Sequence, residues 1–492
     1  MSAYFSSLYK SSLSLLTDFY QLTMAYAYWK KGISETKSVF NVYFRKNPFK
    51  NGYSIASGLE LAIDYINNFS FTEDDILYLK SLTGNDGKPL FADEFLIYLK
   101  NLKISCDVYG IEEGNVIFPN EPLLRISGPI LQCQLLETPL LNILNFHTLI
   151  STKAARIVSV SNQIPVLEFG LRRAQGLDGG LSASRAAYIG GCVGTSNTLA
   201  GKIFGIPVKG THSHSWVMAF SSELESFYSL AKGMPNNVVF LVDTYDTLKG
   251  VKKAIEVGNW LKERGKNLIG IRLDSGDLAY LSIEARKMLD AAGFKDTIII
   301  ASNDLNEHVI SSLNEQGAKI SAWGVGTQLV TAFDDPALGA VYKLSAIQNE
   351  SGKWKHTIKL SEQTIKISTP GILQVRRYFK DQYFFADMIY DELTYKKGKE
   401  ADIIDPSDIN RYYKITTNCE YEELLKPIFV KGKLVYQTPA LVQIREKCFE
   451  SLNKLHPSIK RLLNPHHYPA GLEKNLFNFK HDLIRNIKKN LD

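Results

Sequence analysis

Five short polar segments carry side chains that could do chemistry: EFGLRRAQG (168–176), VDTYD (242–246), RLDSGD (272–277), ASND (301–304) and GVGT (324–327). Each begins at or directly follows the end of a short apolar run. In RLDSGD, Arg272 and Asp274 stand two apart, so on a strand they face the same side. An arginine grips phosphate through two parallel N–H groups, and a carboxylate shares a divalent cation with substrate phosphates. An internal salt bridge is the plainer reading of the same pair. Phe169 offers a ring for stacking, and Arg172 and Arg173 offer charge for an anion; a buried aromatic beside surface arginines would look alike. ASND and GVGT each open the next element with small residues, where unpaired N–H groups attract phosphate. On adjacent strands the two loops read as a phosphate cradle, whereas either one taken by itself reads as a cap or a tight turn. A further segment, GTHSHSW (210–216), sets His212 and His214 at i, i+2. Three readings fit them: structural imidazoles, metal ligands lacking a third histidine nearby, or a neutral imidazole acting as nucleophile toward a phosphoryl group.

Polar segments of this kind form one site only if the strands before them end together. Residues 166–169, 238–242, 267–273, 297–301 and 320–323 are apolar runs that read as buried strands. Amphipathic helical stretches at 182–189, 247–263, 278–292 and 307–315 alternate with them. Such alternation gives parallel β/α units, whose ligands collect at the carboxyl ends of the strands. Upstream, 18–30 reads as a helix capped by Thr17 or Asp18, 39–45 as a strand, and 116–119 with 123–126 as a hairpin. Downstream, 341–347 and 356–360 flank a turn at 349–353, strand-like pieces follow at 383–388 and 428–434, and a basic helical tail closes the sequence. The expected architecture is α/β in three parts. A mixed α/β N-terminal domain (1–135) precedes an α/β barrel carrying the active site (136–345), and a C-terminal β-hairpin and helical extension (346–492) follows.

Composition removes several function classes. Among 492 residues, 45% are hydrophobic and 22% charged, as in a folded globular chain. No apolar run approaches the ~20 residues that span a bilayer, so no membrane partner is expected. The N-terminus lacks a basic stretch followed by an apolar core, so secretion is not expected. Five scattered cysteines without a CxxC pair fit a reducing, cytoplasmic setting. The net charge of +6 is concentrated in 451–492, where eight Lys and Arg face three Asp and Glu. Leucines and phenylalanines interleave those charges, which favours a solvated amphipathic helix over a nucleic-acid arm. There is no GxxxxGK[ST] phosphate loop, no HExxH and no GxSxG, and Leu329 stands where a dinucleotide fingerprint needs its third glycine.

Taken in order, LLTDFYQLTMAYAYW (15–29), EFGLRRAQGLDGGLSASRAAYIGG (168–191), GTSNTLAG (194–201), GTHSHSWVMAF (210–220), IRLDSGDL (271–278), SND (302–304) and GVGT (324–327) resemble the nicotinate phosphoribosyltransferases. The resemblance covers roughly 14–350 and implies the type II phosphoribosyltransferase arrangement, an irregular α/β barrel with a mixed α/β domain. It implies ATP-coupled transfer of phosphoribosyl from phosphoribosyl pyrophosphate to nicotinate, giving nicotinate mononucleotide and pyrophosphate for NAD salvage, with Mg²⁺ as cofactor. By motif, Tyr20 and Phe169 correspond to a ring sandwich around nicotinate. The tyrosine comes from the partner subunit in that family, which implies a homodimer with active sites at the interface. Asp18 lies near that pocket, and Arg172 and Thr211 resemble nicotinate-side contacts. Arg272 and Asp274 resemble phosphoribosyl and metal contacts, with Asp243 nearby as a further catalytic residue. Ser302, Asn303, Gly324, Gly326 and Thr327 resemble the 5-phosphate cradle. His214 matches the histidine that ATP phosphorylates; His212 is extra and has no assigned role.

Relatives that use nicotinamide carry an acidic side chain in the loop matching GTSNTLAG. Here that loop offers Ser196 and Asn197 and no acid, which favours a carboxylate substrate. Gln328 departs from the small hydroxyl residue that some relatives have after GVGT. A nicotinamide or quinolinate phosphoribosyltransferase of the same fold, and a catalytically silent phosphosugar-binding barrel, are the rival readings.

Overall fold

Six short parallel strands form the centre of the 150–336 unit in the computed structural model, which describes residues 12–396, 400–416 and 419–490. In space they run Gly194–Thr195, Val166–Glu168, Ala322–Val325, Ile298–Ser302, Gly270–Leu273 and Val239–Leu241. Their registers pair Glu168 with Val325, Ser302 with Gly324, Ile300 with Arg272, and Arg272 with Leu241. The polar segments therefore follow neighbouring strand ends, although hundreds of atoms separate them along the chain.

The strands sit there because their side chains are apolar on both faces. Phe240, Ile271, Leu273, Ile299, Ala301, Trp323 and Val325 are all inaccessible to solvent or nearly so. Each large aliphatic side chain so buried contributes roughly 1.5–3 kcal/mol. Helices cover them with matching stripes. In Thr247–Lys262, buried Val251, Ala254, Val257 and Leu261 recur at helical spacing. The helices start where polar caps follow strand-end loops: Asp246 accepts from Lys249 N–H, Asp277 from Tyr280 N–H, and Asn306 from His308 and Val309 N–H. The helix expected to open at ASND thus begins with the Asn306 cap, beyond Asp304. The barrel is irregular at one seam. Val208 bridges Thr195 at one edge of the sheet and Val239–Leu241 forms the other. Among the described residues no backbone ladder joins the two edges.

A buried ion cluster braces this unit. Lys153 lies within helix Glu137–Ser159, and its Nζ stands 2.7 Å from Glu307 Oε2 and also meets Asp334 Oδ2. Arg156 Nε donates to Glu307 Oε1 at 2.8 Å. Glu307 opens helix Glu307–Glu315, so the cluster anchors the element that follows the 301–304 loop.

The other unit comprises 1–149 and 337–492. Its seven-stranded sheet interleaves both ends of the chain, in the order Trp354–His356, Val341–Gln348, Lys37–Tyr43, Leu124–Pro129, Asp107–Ile111, Leu425–Val430 and Lys433–Leu434. The turn expected at 349–353 is present, with Asn349 N–H donating to Lys353 O at 2.9 Å. The expected hairpin of 116–119 with 123–126 is not. Val116–Ile117 pairs with Ser54–Ile55, while Leu124–Pro129 pairs with Lys37–Tyr43 and Asp107–Ile111. Buried Glu121 accepts from Phe118 N–H, Asn120 is left-handed, and Leu123 N–H donates to Val42 O, so the chain leaves one sheet for the other. A six-stranded sheet of Tyr412–Ile415, Ala401–Ile404, Ala470–Glu473, Tyr383–Asp391, Leu373–Lys380 and Glu420–Glu423 forms the C-terminal extension. The basic helix Lys474–Lys489 packs against it through buried Leu476 and Lys480. Burial pushes the Lys480 ammonium down to about 8. Among the described residues no helix is long and apolar enough to cross a membrane.

Glu307→Gln should destabilise the protein by about 3 kcal/mol, because Lys153 and Arg156 would stay buried without the carboxylate they face. Burial raises the Glu307 pKa, but Lys153 and Arg156 outweigh it and the net shift is downward. A depressed folded pKa gives stability above the carboxylate's ordinary value of 4.5 and loses it as pH falls through the folded value. The gap between wild type and Glu307→Gln, measured by urea unfolding, should therefore narrow below about pH 4. A gap independent of pH would remove the ionised carboxylate from the explanation.

Candidate active site

The site assembles from the strand ends outward. Phe169 follows strand Val166–Glu168, and its N–H donates to Val325 O at 2.7 Å, which extends the ladder one residue. Behind it, buried Glu168 accepts from Gly170 N–H at 2.5 Å, from Ser184 at 2.8 Å and from Thr195 at 2.5 Å. That carboxylate locks the Phe169–Gly170 turn to the start of the GTSNTLAG loop. Gly324 lies beneath the Phe169 ring; a Cβ there would stand 2.7 Å from the ring's Cδ2.

Arg272 is the hub. Its Nε donates to Ser302 Oγ at 2.8 Å, Nη1 to Thr211 Oγ1 at 3.2 Å and Nη2 to Asp274 Oδ1 at 2.9 Å. Its guanidinium lies 5.6 Å from the Phe169 ring centroid, within cation–π range. Arg272 and Asp274 are bridged, as the plainer reading expects, and the same pair also faces a cavity. Ser302 donates to Asp274 Oδ1 as well. His214 opens a five-residue helix, His214–Met218. Its Nδ1 lies 3.1 Å from Thr244 Oγ1 and its Nε2 lies 3.7 Å from Asp274 Oδ2.

A cavity of about 540 Å³ opens here, lined among others by Phe169, Arg172, Thr211, His214, Arg272 and Asp274. Six of the residues singled out from sequence therefore meet at one wall. Asp243 and Ser302 stand behind it. Asp243 Oδ2 accepts from Asp274 N–H at 2.8 Å and from Ser275 at 2.6 Å. Its Oδ1 is buried with no hydrogen-bond partner among the described residues. Asn303, Gly326 and Thr327 follow neighbouring strand ends but do not line the cavity. Asn303 and Asp304 are both left-handed (φ 101° and 42°), a turn that Asn and Asp accept better than most residues. Gln328 Oε1 is buried without a hydrogen-bond partner among the described residues. Asp18 and Tyr20 belong to the other unit. Asp18 precedes helix Phe19–Lys31 and accepts from Thr138 Oγ1 at 2.7 Å; Tyr20 is exposed.

The lining also includes polar residues without an assigned role in the sequence reading, among them Ser196, Thr198, Lys209, His212 and Ser213. Ser196 had been weighed only for its lack of acidity. Burial is the largest influence on the His212 imidazole; the nearby Arg272 and His214 add to it, and the net effect is to hold its pKa below the ordinary value. Glu168 was also overlooked, although an acid closing an apolar strand is itself a signal of a buried hydrogen-bonding role.

Fold and site together define an α/β barrel with an arginine-lined cavity at the carboxyl ends of its strands. Comparison with known proteins narrows that class. The model of the nicotinate phosphoribosyltransferase N-terminal domain matches 15–145, that of the nicotinate phosphoribosyltransferase family 164–376, and that of its C-terminal domain 374–480. The chain is 45% identical to nicotinate phosphoribosyltransferase of Bacillus subtilis (strain 168) over 98% of this chain and 97% of that one. It is 32% identical to the Homo sapiens protein of the same name, over 94% and 95%. The crystal structure of human nicotinic acid phosphoribosyltransferase superposes with a TM-score of 0.83 at 29% identity, covering 95% of this chain and 99% of that one. The chain belongs to the nicotinate phosphoribosyltransferase family.

Arg272→Lys keeps the charge but loses the planar fork that reaches Ser302, Thr211 and Asp274 at once. Binding of inorganic pyrophosphate, measured by calorimetry, should weaken about tenfold, or about 1.4 kcal/mol. Equal binding by the two proteins would show that the Arg272 fork takes no part in holding pyrophosphate.

Proposed function

We propose that the protein transfers phosphoribosyl from phosphoribosyl pyrophosphate to nicotinate, forming nicotinate mononucleotide and pyrophosphate, and couples this to ATP hydrolysis through His214. The observation that carries the proposal is the convergence of His214, Arg272, Asp274 and Phe169 on one cavity. The reaction makes a bond from the nicotinate ring nitrogen to the anomeric carbon and breaks that carbon's bond to pyrophosphate, which leaves with the electron pair. Pyridine is a weak nucleophile and the ribosyl carbon becomes cation-like, so positioning and leaving-group stabilisation dominate. Phe169 offers a face for the flat ring, held by the Glu168 lock and the absent side chain at Gly324. Arg272 offers its remaining N–H groups to phosphate oxygens while Asp274 and Ser302 fix its orientation. Ser196 and Asn197 in the loop beside the ring leave a nicotinate carboxylate unopposed by an acid.

Mg²⁺ belongs to the same proposal. Among the described residues no three His, Cys, Asp or Glu side chains converge on one point. The donors present, Asp274 and the unpartnered Oδ1 of Asp243, suit an ion that takes one or two carboxylates and completes its shell with water and phosphate. When bound, such an ion neutralises charge on departing pyrophosphate.

His214 is the proposed phosphoryl acceptor: a ring nitrogen bonds to the γ-phosphorus of ATP as the bond to ADP breaks. Thr244 at Nδ1 fixes the ring plane, and the Asp274 carboxylate near Nε2 stabilises positive charge that develops on the imidazole. Hydrolysis of the phosphohistidine then drives synthesis forward.

A homodimer completes the proposal. Leu16, Phe19 and Tyr20 are exposed apolar side chains around one helix start, a surface that a second copy would cover. There the partner subunit's Tyr20 would supply the second face of the nicotinate sandwich. A cytoplasmic location agrees with five cysteines all present as free thiols.

Mixing the protein with phosphoribosyl pyrophosphate, Mg²⁺, ATP and each pyridine tests the reaction. Nicotinate should give nicotinate mononucleotide; quinolinate should release no CO₂. His214→Ala should abolish ATP hydrolysis and ATP stimulation yet retain slow nucleotide synthesis, and loss of nicotinate binding in that folded variant would refute the division of labour. Tyr20→Ala should raise the nicotinate KM by about tenfold, as expected for a lost stacking face. Unchanged kinetics would remove Tyr20 from the ring pocket.

A further inference from the structure

We infer that His212 is a positioning residue: its imidazole closes the open seam of the barrel by accepting the edge N–H of Leu241, and so fixes the loop that presents Thr211 and His214. This rests on the proposed role of His214.

The seam lies between Val208, which bridges Thr195, and the edge strand Val239–Leu241. On its inner side that strand pairs with Gly270–Leu273, and Val242 N–H donates to Arg272 O at 3.2 Å. Alternation along a strand therefore turns Leu241 N–H outward, toward the seam. Leu241 is buried, and a buried N–H without a partner is costly. Its partner is the side chain of His212, four residues past Val208, whose Nε2 lies 3.0 Å away.

The geometry selects the protonation state. Nε2 must offer its lone pair, so the proton resides on Nδ1, which lies 3.2 Å from Ser213 O and donates to it. The ring rests near Phe227, which itself stacks on Phe240 of the edge strand at 4.4 Å. Held at both nitrogens, His212 pins a loop that has no strand pairing of its own among the described residues. Its chain neighbour Thr211 accepts from Arg272, and His214 two residues on faces Asp274. No other imidazole of the motif does this, because His214 points its Nδ1 at Thr244 instead.

Two variants separate hydrogen bonding from mere bulk. His212→Gln retains an acceptor near the position of Nε2; His212→Leu fills the space without one. In His212→Leu, the rate at which ATP labels His214 should fall about tenfold to a hundredfold, the cost of a misplaced reacting group. Its kcat should fall more than its nicotinate KM rises, and His212→Gln should restore most of the labelling rate. Hydrogen exchange of the Leu241 amide should be fast in His212→Leu and slow in wild type and His212→Gln. Labelling at the wild-type rate in His212→Leu, or no rescue by His212→Gln, would overturn the inference. If His212→Leu does not fold, ¹⁵N-histidine spectra of the wild type decide, since a His212 proton found on Nε2 refutes it. A wild type that takes no label at all would instead refute the proposed role of His214, and the exchange and tautomer measurements would still judge His212.

Discussion

One guanidinium sets the geometry at the strand ends. Arg272 comes from one strand, its Ser302 partner from the next, its Thr211 partner from the seam loop, and the ring beside it follows a strand further round the sheet. A cation so little exposed is tolerated only with a counter-ion and directional acceptors. Asp274 provides the first, and Ser302 and Thr211 provide the second. The same contacts that stabilise the charge fix its plane, so the protein obtains an oriented guanidinium fork from interactions it needs in any case. Any shift of the 210–214 loop is felt at Arg272 through Thr211, and any shift of Phe169 through the ring.

Five of the six parallel strands were legible because parallel strands buried on both faces read as short uninterrupted apolar runs; the two-residue strand Gly194–Thr195 was too short to leave such a run. The boundaries differ from expectation by only a residue or three, as for 267–273 against the observed Gly270–Leu273. The seven-stranded sheet of the other unit was not legible as a sheet. Its strands alternate between the two ends of the chain, with Lys37–Tyr43 beside Val341–Gln348, and local patterning carries no information about partners so distant. The misread hairpin has the same origin. Two β-rich runs around a Pro/Asn turn satisfy every local rule, yet a buried glutamate and a left-handed asparagine direct them into different sheets.

The site was legible to a similar depth. Side chains with an obvious chemical use, Phe169, Arg172, His214, Arg272 and Asp274, were visible from type and position, and they share a cavity. What the sequence concealed were residues whose part is to hold others. Glu168 looks like the polar end of a strand until three donors are seen to converge on its carboxylate. His212 looks like a redundant neighbour of His214 until the edge of the sheet is seen to need an acceptor. Such roles depend on which backbone groups are left unpaired, and pairing is a property of the assembled sheet rather than of any segment.

Gly324 shows why motif chemistry must be checked against space. A Gly-x-Gly sequence at a strand end invites the explanation that small residues let a phosphate approach the backbone. At Gly324 a nearer cause exists, since any side chain would collide with the Phe169 ring, and the Ser302 Cβ lies 3.4 Å from the same point. Gly326 has no such neighbour, and a Cβ there would meet Phe169 O at only ordinary contact distance. The two glycines of one motif therefore answer to different constraints. The first makes room for the Phe169 ring, whereas a Cβ at the second would stand 3.4 Å from its nearest neighbour, Phe169 O, so motif and spacing alone do not say which glycine answers to packing.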